Sequence, residues 1–550
     1  MNGLRVAAVA VALLGVGCSV LLNTAEPTQC TTGADCEANP SLGSRICQEG
    51  FCVLPMRPVS PPDTDAGTAC VSTEICTVAR SGQGWHCDGN GGACVRWQTD
   101  ECQFIGGGRA WMDENALIIG SIQPFSGRLA TGQRKPIPYA ARIREAMDLA
   151  LDEVAQAQGA GIVVPGRAPR PLAILHCDSG FDPVRAEIVF KHLTEVVGAP
   201  AVIVGADQDL AVIAPIARTR GTAIVGSDVN GPLPAPPLAW RIVPPLVQQA
   251  PMAAWRVGVL ETQRKAGPNP PTSFKVAVLM GSDPGPSAFV DKLTEVLRFN
   301  GKTTTQNGSA AFHVERTEDP RTVNIDQAAH AKAIVDFRPD VVVVATGEDF
   351  TSFYANLIEA SWPVDTPRPH YIVTELNYDV STFEAVLAAD KEDLRRRISG
   401  TRSGYSAARE VNIDGFRRRF ATRYGNKDAS GAWSGYEAMY SLIYAIQAAS
   451  IGGNLDGVHI SAGFERLRAG PTVDIAPASI GTAFSFLAQP TQTIDLRGLW
   501  SDLGWNIVTR DLETDVGMYC FQREGGKLVI RPDAGPTLAG GVVSGTYGCD

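Results

Sequence analysis

Past residue 17 no apolar run approaches the ~20 positions that a membrane-spanning helix requires, so the body of the chain offers no helical span. Basic residues are in deficit. The 48 Lys and Arg face 58 Asp and Glu, for a net charge of −10, which argues against a nucleic-acid-binding surface. Histidine is scarce, with seven in 550 residues. None sits in a His-Glu-x-x-His pattern, and the Gly-x-Ser-x-Gly elbow, the Walker loop and the Gly-x-Gly-x-x-Gly dinucleotide turn are missing too. His176 beside Cys177 ends a strand-like run and reads as structural. Catalysis is therefore not expected, and no metal or cofactor is implied. With 44% hydrophobic residues most of the chain is globular, and 550 residues exceed what one hydrophobic core organises.

Thirteen cysteines are present instead. Arg5 precedes an apolar run from Val6 to Val16, too short to span a bilayer and sized like the core of a signal peptide over residues 1–17. It ends in Leu14-Gly15-Val16-Gly17-Cys18, which resembles the lipobox of bacterial lipoproteins with Cys18 as the acylated residue. Gly15 stands where that pattern has leucine. The alternative is an ordinary cleaved signal with Cys18 incidental. Either way the mature chain is expected in the cell envelope, facing the periplasm or the cell surface, where disulfides persist.

Eight further cysteines form two sets, Cys30, Cys36, Cys47, Cys52 and Cys70, Cys76, Cys87, Cys94, repeating with a period of 40 residues. The stretch between them is proline-rich, and QGWHCDGNGGAC carries no core, so each set reads as a small disulfide-stapled module. Zinc is the rival, but no Cys-x-x-Cys pair exists. Four cysteines allow three connectivities, and the spacing does not choose among them. Cys520 and Cys549 are candidates to staple the C-terminal tail. Cys102 is a candidate to pair with Cys177, with Cys94 or another module cysteine as the alternative.

From Ile118 onward short β-branched runs alternate with amphipathic helices. IIGSIQ, PLAILHCD, AVIVG, TAIVG, FKVAVLMGSD, VVVVATG and YIVTEL read as strands. Between them, ARIREAMDLALDEVAQ places Ile143, Met147, Leu151 and Val154 on one stripe. Asp182-Pro183 opens a second helix, and DLAVIAPIARTRG, IDQAAHAKAIVDFRPD and GYEAMYSLIYAIQAAS continue the series. The pattern specifies two doubly wound α/β units with parallel sheets covered on both faces. IDLRGLW, WNIVTRDL, GMYCFQR and KLVIRP form a β-leaning tail.

The ordered series IIGSIQPFSGRLA, LAILHCDSGFDPVRA, GTAIVGSDVNGPL, WRIVPPLVQQA and SGYEAMYSLIYAIQAA resembles type I periplasmic binding proteins of the leucine/isoleucine/valine class. The likeness covers roughly residues 115–530. It implies two α/β lobes joined by a hinge. Residues 111–250 with 373–500 would make one lobe, and 251–372 with 501–550 the other lobe and tail. The Cys-rich region 18–110 precedes them.

The resemblance also implies a small-molecule ligand in the inter-lobe cleft, delivered to an ABC permease or sensed by a partner subunit. Ligands of open α/β sheets lie beyond the carboxyl ends of strands, so the turn Pro124-Phe125-Ser126-Gly127 becomes a candidate lip. Carried over by position, the ligand set is Ser126, Gly127, Asp207, Gln208, Asp209, Ser227, Asp228, Asn230, Asp283, Glu348, Glu375 and Asn377. Two departures stand out. Where the family has a serine-rich loop for an α-carboxylate, this chain has Ala206-Asp207-Gln208-Asp209. The tyrosine expected after Asp283 is also replaced, by Pro284. Asp209 and Asp283 can equally be helix N-caps. Carboxylates facing the cleft would repel a free carboxylate and favour a cationic, polyol or amide-like ligand.

Overall fold

The computed structural model describes residues 46–48, 51–53, 70–79, 84–88, 92–128, 134–159, 161–234, 238–317, 326–347, 350–388, 391–404, 409–425 and 427–549. They fall into two compact units, residues 1–64 and 65–550. Of the first, an antiparallel hairpin of Ile46–Gln48 and Phe51–Val53 is described, with Cys47 opposite Cys52. Cys18, Cys30, Cys36, the side chains of Cys47 and Cys52, and Glu348 lie outside the described residues.

The second unit opens with the second four-cysteine set. A short helix, Thr73–Ala79, packs on a hairpin of Trp85–Asp88 and Ala93–Arg96. Cys70 bonds Cys87 and Cys76 bonds Cys94, so first joins third and second joins fourth. The sulfurs that sit close enough together to suggest a metal site are thus consumed as disulfides. Trp97 stacks on His86 with ring centroids 4.0 Å apart, and its carbonyl faces His192 Nε2 at 2.6 Å. Cys102 bonds Cys177 across 75 residues, which seats the module on the α/β body.

The first lobe holds six strands: β1 (Phe104–Gly106), β2 (Leu117–Gln123), β3 (Leu172–Asp178), β4 (Ala201–Val204), β5 (Ala223–Gly226) and β6 (Ala239–Arg241). Their order is β6-β5-β4-β2-β3-β1, parallel except for edge strand β1. All seven residues of β2 are buried, as a strand covered on both faces must be. One face carries α1 (Pro138–Gln158), and the other carries α2 (Pro183–Lys191) and α3 (Asp207–Arg220). The Asp182 side chain caps α2 by accepting the N–H groups of Val184 and Arg185, the role its Asp-Pro sequence predicts.

After α4 (Ala250–Ala266) the chain builds the second lobe from β7 (Val276–Met280), α5 (Pro284–Val296), β8 (Phe312–Arg316), α6 (Gln327–Phe337), β9 (Val341–Ala345), α7 (Ala355–Ser361), β10 (His370–Val373) and β11 (Ile398–Ser403). It returns to the first lobe with α8 (Glu410–Tyr424) and α9 (Trp433–Ser450). It then closes the second sheet with antiparallel β12 (Val516–Glu524), β13 (Lys527–Ala539) and β14 (Val542–Ser544). The order is β8-β7-β9-β10-β11-β12-β13-β14. Every residue of α9 from Ser434 to Ser450 is buried. It lies so close to α1 that a Cβ on Gly435 would meet the Ile143 carbonyl at 2.5 Å.

Two expectations require correction. The return to the first lobe does not come at 373. β11 continues the second sheet, and the crossing follows residue 404. ISGTRS lacks an apolar signature, yet all six of its residues are buried because their polar groups find partners. Thr401 Oγ donates to Gln249 Oε1 at 2.8 Å, and Arg402 Nε donates to the Met518 carbonyl at 3.2 Å. Nor is WNIVTRDL a strand. Asn506 Oδ1 accepts the N–H groups of Val508 and Thr509 at 2.8 and 3.1 Å, and the segment turns. Leu503, Trp505 and Leu512 pack into the core of the first lobe, so the tail of the second lobe starts near 516 rather than at 501. Cys520 on β12 bonds Cys549.

Candidate functional site

The strands of both sheets end in a cavity of about 570 Å³ between the lobes. Its walls come from the loops that follow β2, β3, β4, β5 and β6 on one side and β7, β8, β9 and β10 on the other, with the start of α1, the approach to α9 and the loop at Trp500 completing it. The lobes touch at its mouth. A Cβ on Gly285, at the start of α5, would lie 1.8 Å from Asn230 Oδ1 of the first lobe.

Gly127, Asp207, Gln208, Asp228, Asn230, Asp283 and Glu375 border this cavity. Ser126, Asp209, Ser227 and Asn377 do not, and each has a structural occupation. Ser126 Oγ donates to Asp178 Oδ2 at 2.5 Å, and its N–H reaches Asp178 Oδ1 at 3.1 Å. Ser227 Oγ accepts from Gln123 Nε2 at 3.1 Å and is fully buried. Asn377 Nδ2 donates to the Thr346 carbonyl at 2.7 Å. Asp209 is not a cap. The α3 cap is Ala206, and Asp209 lies buried inside the first turn. Asp283 holds the cap position of α5 without a capping hydrogen bond from its side chain.

Three carboxyl groups of the cavity, those of Asp207, Asp228 and Glu375, are raised toward neutrality. Burial pushes Asp207 up to about 6, although the Gly231 N–H donates to both of its oxygens at 2.9 and 3.0 Å. Burial, reinforced by the charges of Asp207 and Glu375, pushes Asp228 up to about 7. Burial likewise raises Glu375 to about 7, while the Ser403 N–H donates to its Oε2 at 3.0 Å. Gln249, on the first crossing between the lobes, holds this loop: its Oε1 accepts the Glu375 N–H at 3.2 Å and its Nε2 donates to Ser403 Oγ at 3.1 Å. Behind Asp207 a fully buried Arg241 pairs with Asp511 at 2.9 Å and donates to the Gly231 carbonyl at 2.6 Å.

Sequence reasoning missed the aromatic side of the cavity. Tyr139, Phe181, Tyr378, Trp433 and Trp500 line it. Trp433 and Trp500 are stacked, with centroids 5.2 Å apart and planes 11° from parallel. Tyr378 meets Trp500 edge-on at 4.9 Å. Phe181 adopts a left-handed φ of 55°, a conformation that large side chains rarely accept and that clusters at binding sites. Arg142 also borders the cavity, its Nε donating to the Ser430 carbonyl at 3.0 Å. Tyr139 and Arg142 are three apart at the start of α1, a spacing that puts both on one face, and this was the available signal.

Comparisons with known proteins agree with the fold. A family model described as periplasmic binding protein matches residues 117–489. No curated protein matches the chain in sequence. Among solved structures, a leucine binding protein from Thermotoga maritima superposes with a TM-score of 0.53 at 15% identity, over 78% of this chain and 99% of its own. A solute binding protein of an ABC transporter from Rhodopseudomonas palustris, in complex with 3,4-dihydroxybenzoic acid, gives 0.54 at 14% identity, over 76% and 96%. A branched-chain amino acid transporter substrate binding protein from Streptococcus pneumoniae, in complex with isoleucine, gives 0.52 at 14%, over 76% and 99%. With the family model covering well over half of its length and a cavity set between two parallel-sheet lobes, this chain belongs to the periplasmic binding protein family.

Proposed function

We propose that this protein is an extracytoplasmic solute-binding protein that closes its lobes around a small polar ligand and delivers it to an ABC permease. The observation that carries the reading is the 570 Å³ cavity at the strand ends of both lobes, the place and size at which this architecture takes ligands. Closure is a hinge motion, driven only as far as the ligand binds the closed form better than the open one. The apolar run ending at Cys18 supports a lipid tether, which intact-mass measurement of the envelope form would reveal as an acyl adduct. A thermal-shift screen of amino acids, amides, amines, sugars and aromatic acids tests the binding reading. A ligand at 100 times its dissociation constant adds about 2.7 kcal/mol of stability. Silence across the panel counts against it.

A sensor subunit on the same fold is the second reading. It is favoured by the stapled module, which the Cys102–Cys177 bridge joins to the first lobe and which a plain tether does not need. Ligand-dependent co-purification of a partner other than a permease would select it.

A further inference from the structure

The charge on the cavity walls is lopsided. Asp207 and Asp228 border it from the first lobe, Asp283, Glu375 and Asp379 from the second. Against them stands one cationic side chain among the described lining residues, Arg142. Helix N-termini attract anions in such clefts, but here Asp207 is the first residue of α3 and Asp283 directly precedes α5. The positive ends of both helices therefore face carboxylates of the chain itself.

Two of the acids are incompletely compensated. Asp228 has no hydrogen-bond donor and no counter-ion among the described residues, and its charged neighbours are two further carboxylates. Glu375 accepts from Ser403 and Gln249 and has the Arg402 charge nearby, yet burial still outweighs these contacts. A carboxylate without a donor or counter-ion is poorly compensated, and a ligand cation between these two groups supplies the counter-charge that Asp228 lacks and adds to the little that Glu375 has. Among the described residues no three of the cavity carboxylates bring their oxygens within 4.8 Å of one another, and the aromatic wall beside them suits a molecular cation better than a bare ion. The stacked Trp433–Trp500 pair and Tyr378 add an aromatic wall to the same cavity, and aromatic rings attract a nearby cation and offer apolar surface to an organic body.

We propose that the ligand of this cleft is an organic cation, an amine carried on an aromatic or apolar body, with its ammonium group held between Asp228 and Glu375. This rests on the solute-binding reading above and narrows it.

The test is titration calorimetry and thermal shift of the full chain with tyramine and with 4-hydroxyphenylacetate, which share a phenol ring and carry opposite charge. The wider screen above is run alongside. Tyramine is expected to bind and raise the melting midpoint while the acid leaves it unchanged. Asp228→Asn is expected to weaken tyramine by about ten-fold or more, with the unliganded midpoint unchanged or raised because an unpartnered carboxylate has been removed. Binding of the acid with tyramine silent overturns the proposal and leaves the solute-binding reading standing. Unaltered tyramine affinity in Asp228→Asn also overturns it. Silence of both probes and of every compound in the wider screen overturns the two readings together.

Discussion

The carboxyl group of Glu437, fully buried in helix α9, accepts the backbone N–H of Trp500 at 2.9 Å through Oε1. Burial outweighs this bond and raises the group from 4.5 to about 8, so at neutral pH it stays protonated beside a wall of the cavity. A raised carboxyl pKa means that the folded state holds a proton the unfolded state releases. Stability therefore falls as pH rises from about 4.5 to about 8 and levels off above that, at roughly 1.4 kcal/mol per pH unit. Glu437→Gln is expected to remove that part of the slope. Melting midpoints of both proteins between pH 5 and 9 check it, and parallel curves would count against it.

The cleft acids titrate in the same sense and reach solvent and ligand. Asp207 at about 6 and Asp228 and Glu375 at about 7 lower unliganded stability as pH climbs through those values. Tyramine affinity moves the other way, because an ammonium group pairs with ionised carboxylates. Calorimetric affinity at pH 5.5, 7 and 8.5 is expected to rise across the series, and a flat profile would remove these groups from the contact.

Ser126→Ala is expected to cost stability rather than binding. The hydroxyl is spent on Asp178, and a hydrogen bond to a charged acceptor contributes roughly 1.5–3 kcal/mol. An unfolding free energy lowered by that amount in denaturant titration, with tyramine affinity within about three-fold of the parent, is the predicted pair of results. The reverse pattern would make Ser126 a ligand contact.

Loss of the Cys102–Cys177 bridge, through the double change to alanine, is expected to destabilise by about 4 kcal/mol, since the bond closes a long loop in the unfolded chain. Chemical denaturation with and without the bridge measures it. Peptide mapping without reduction should recover the 70–87, 76–94, 102–177 and 520–549 pairs.

The layered architecture was legible because runs such as Val341–Ala345 are wholly buried strands, and such strands are continuous apolar runs in any α/β sheet. The acidic side of the cavity was legible too. Asp207, Asp228, Asp283 and Glu375 follow strands directly, where chain direction alone puts them at the rim. The aromatic side was not. Trp433 sits at the head of α9 and Trp500 in an irregular loop 67 residues later, and no local period relates two residues that meet only through tertiary packing. β11 escaped for a related reason. Its Ser, Thr and Arg residues read as exposed, and only partners on the α4 approach and on β12 reveal why they are inside.

The bridge from Cys102 to Cys177 fastens the module to β3 of one lobe, whereas the last strands and the Cys520–Cys549 staple belong to the other. Each half is therefore braced on its own, and among the described residues no disulfide crosses from one lobe to the other. Covalent reinforcement stiffens the two rigid bodies and leaves the seam between them to non-covalent contacts alone.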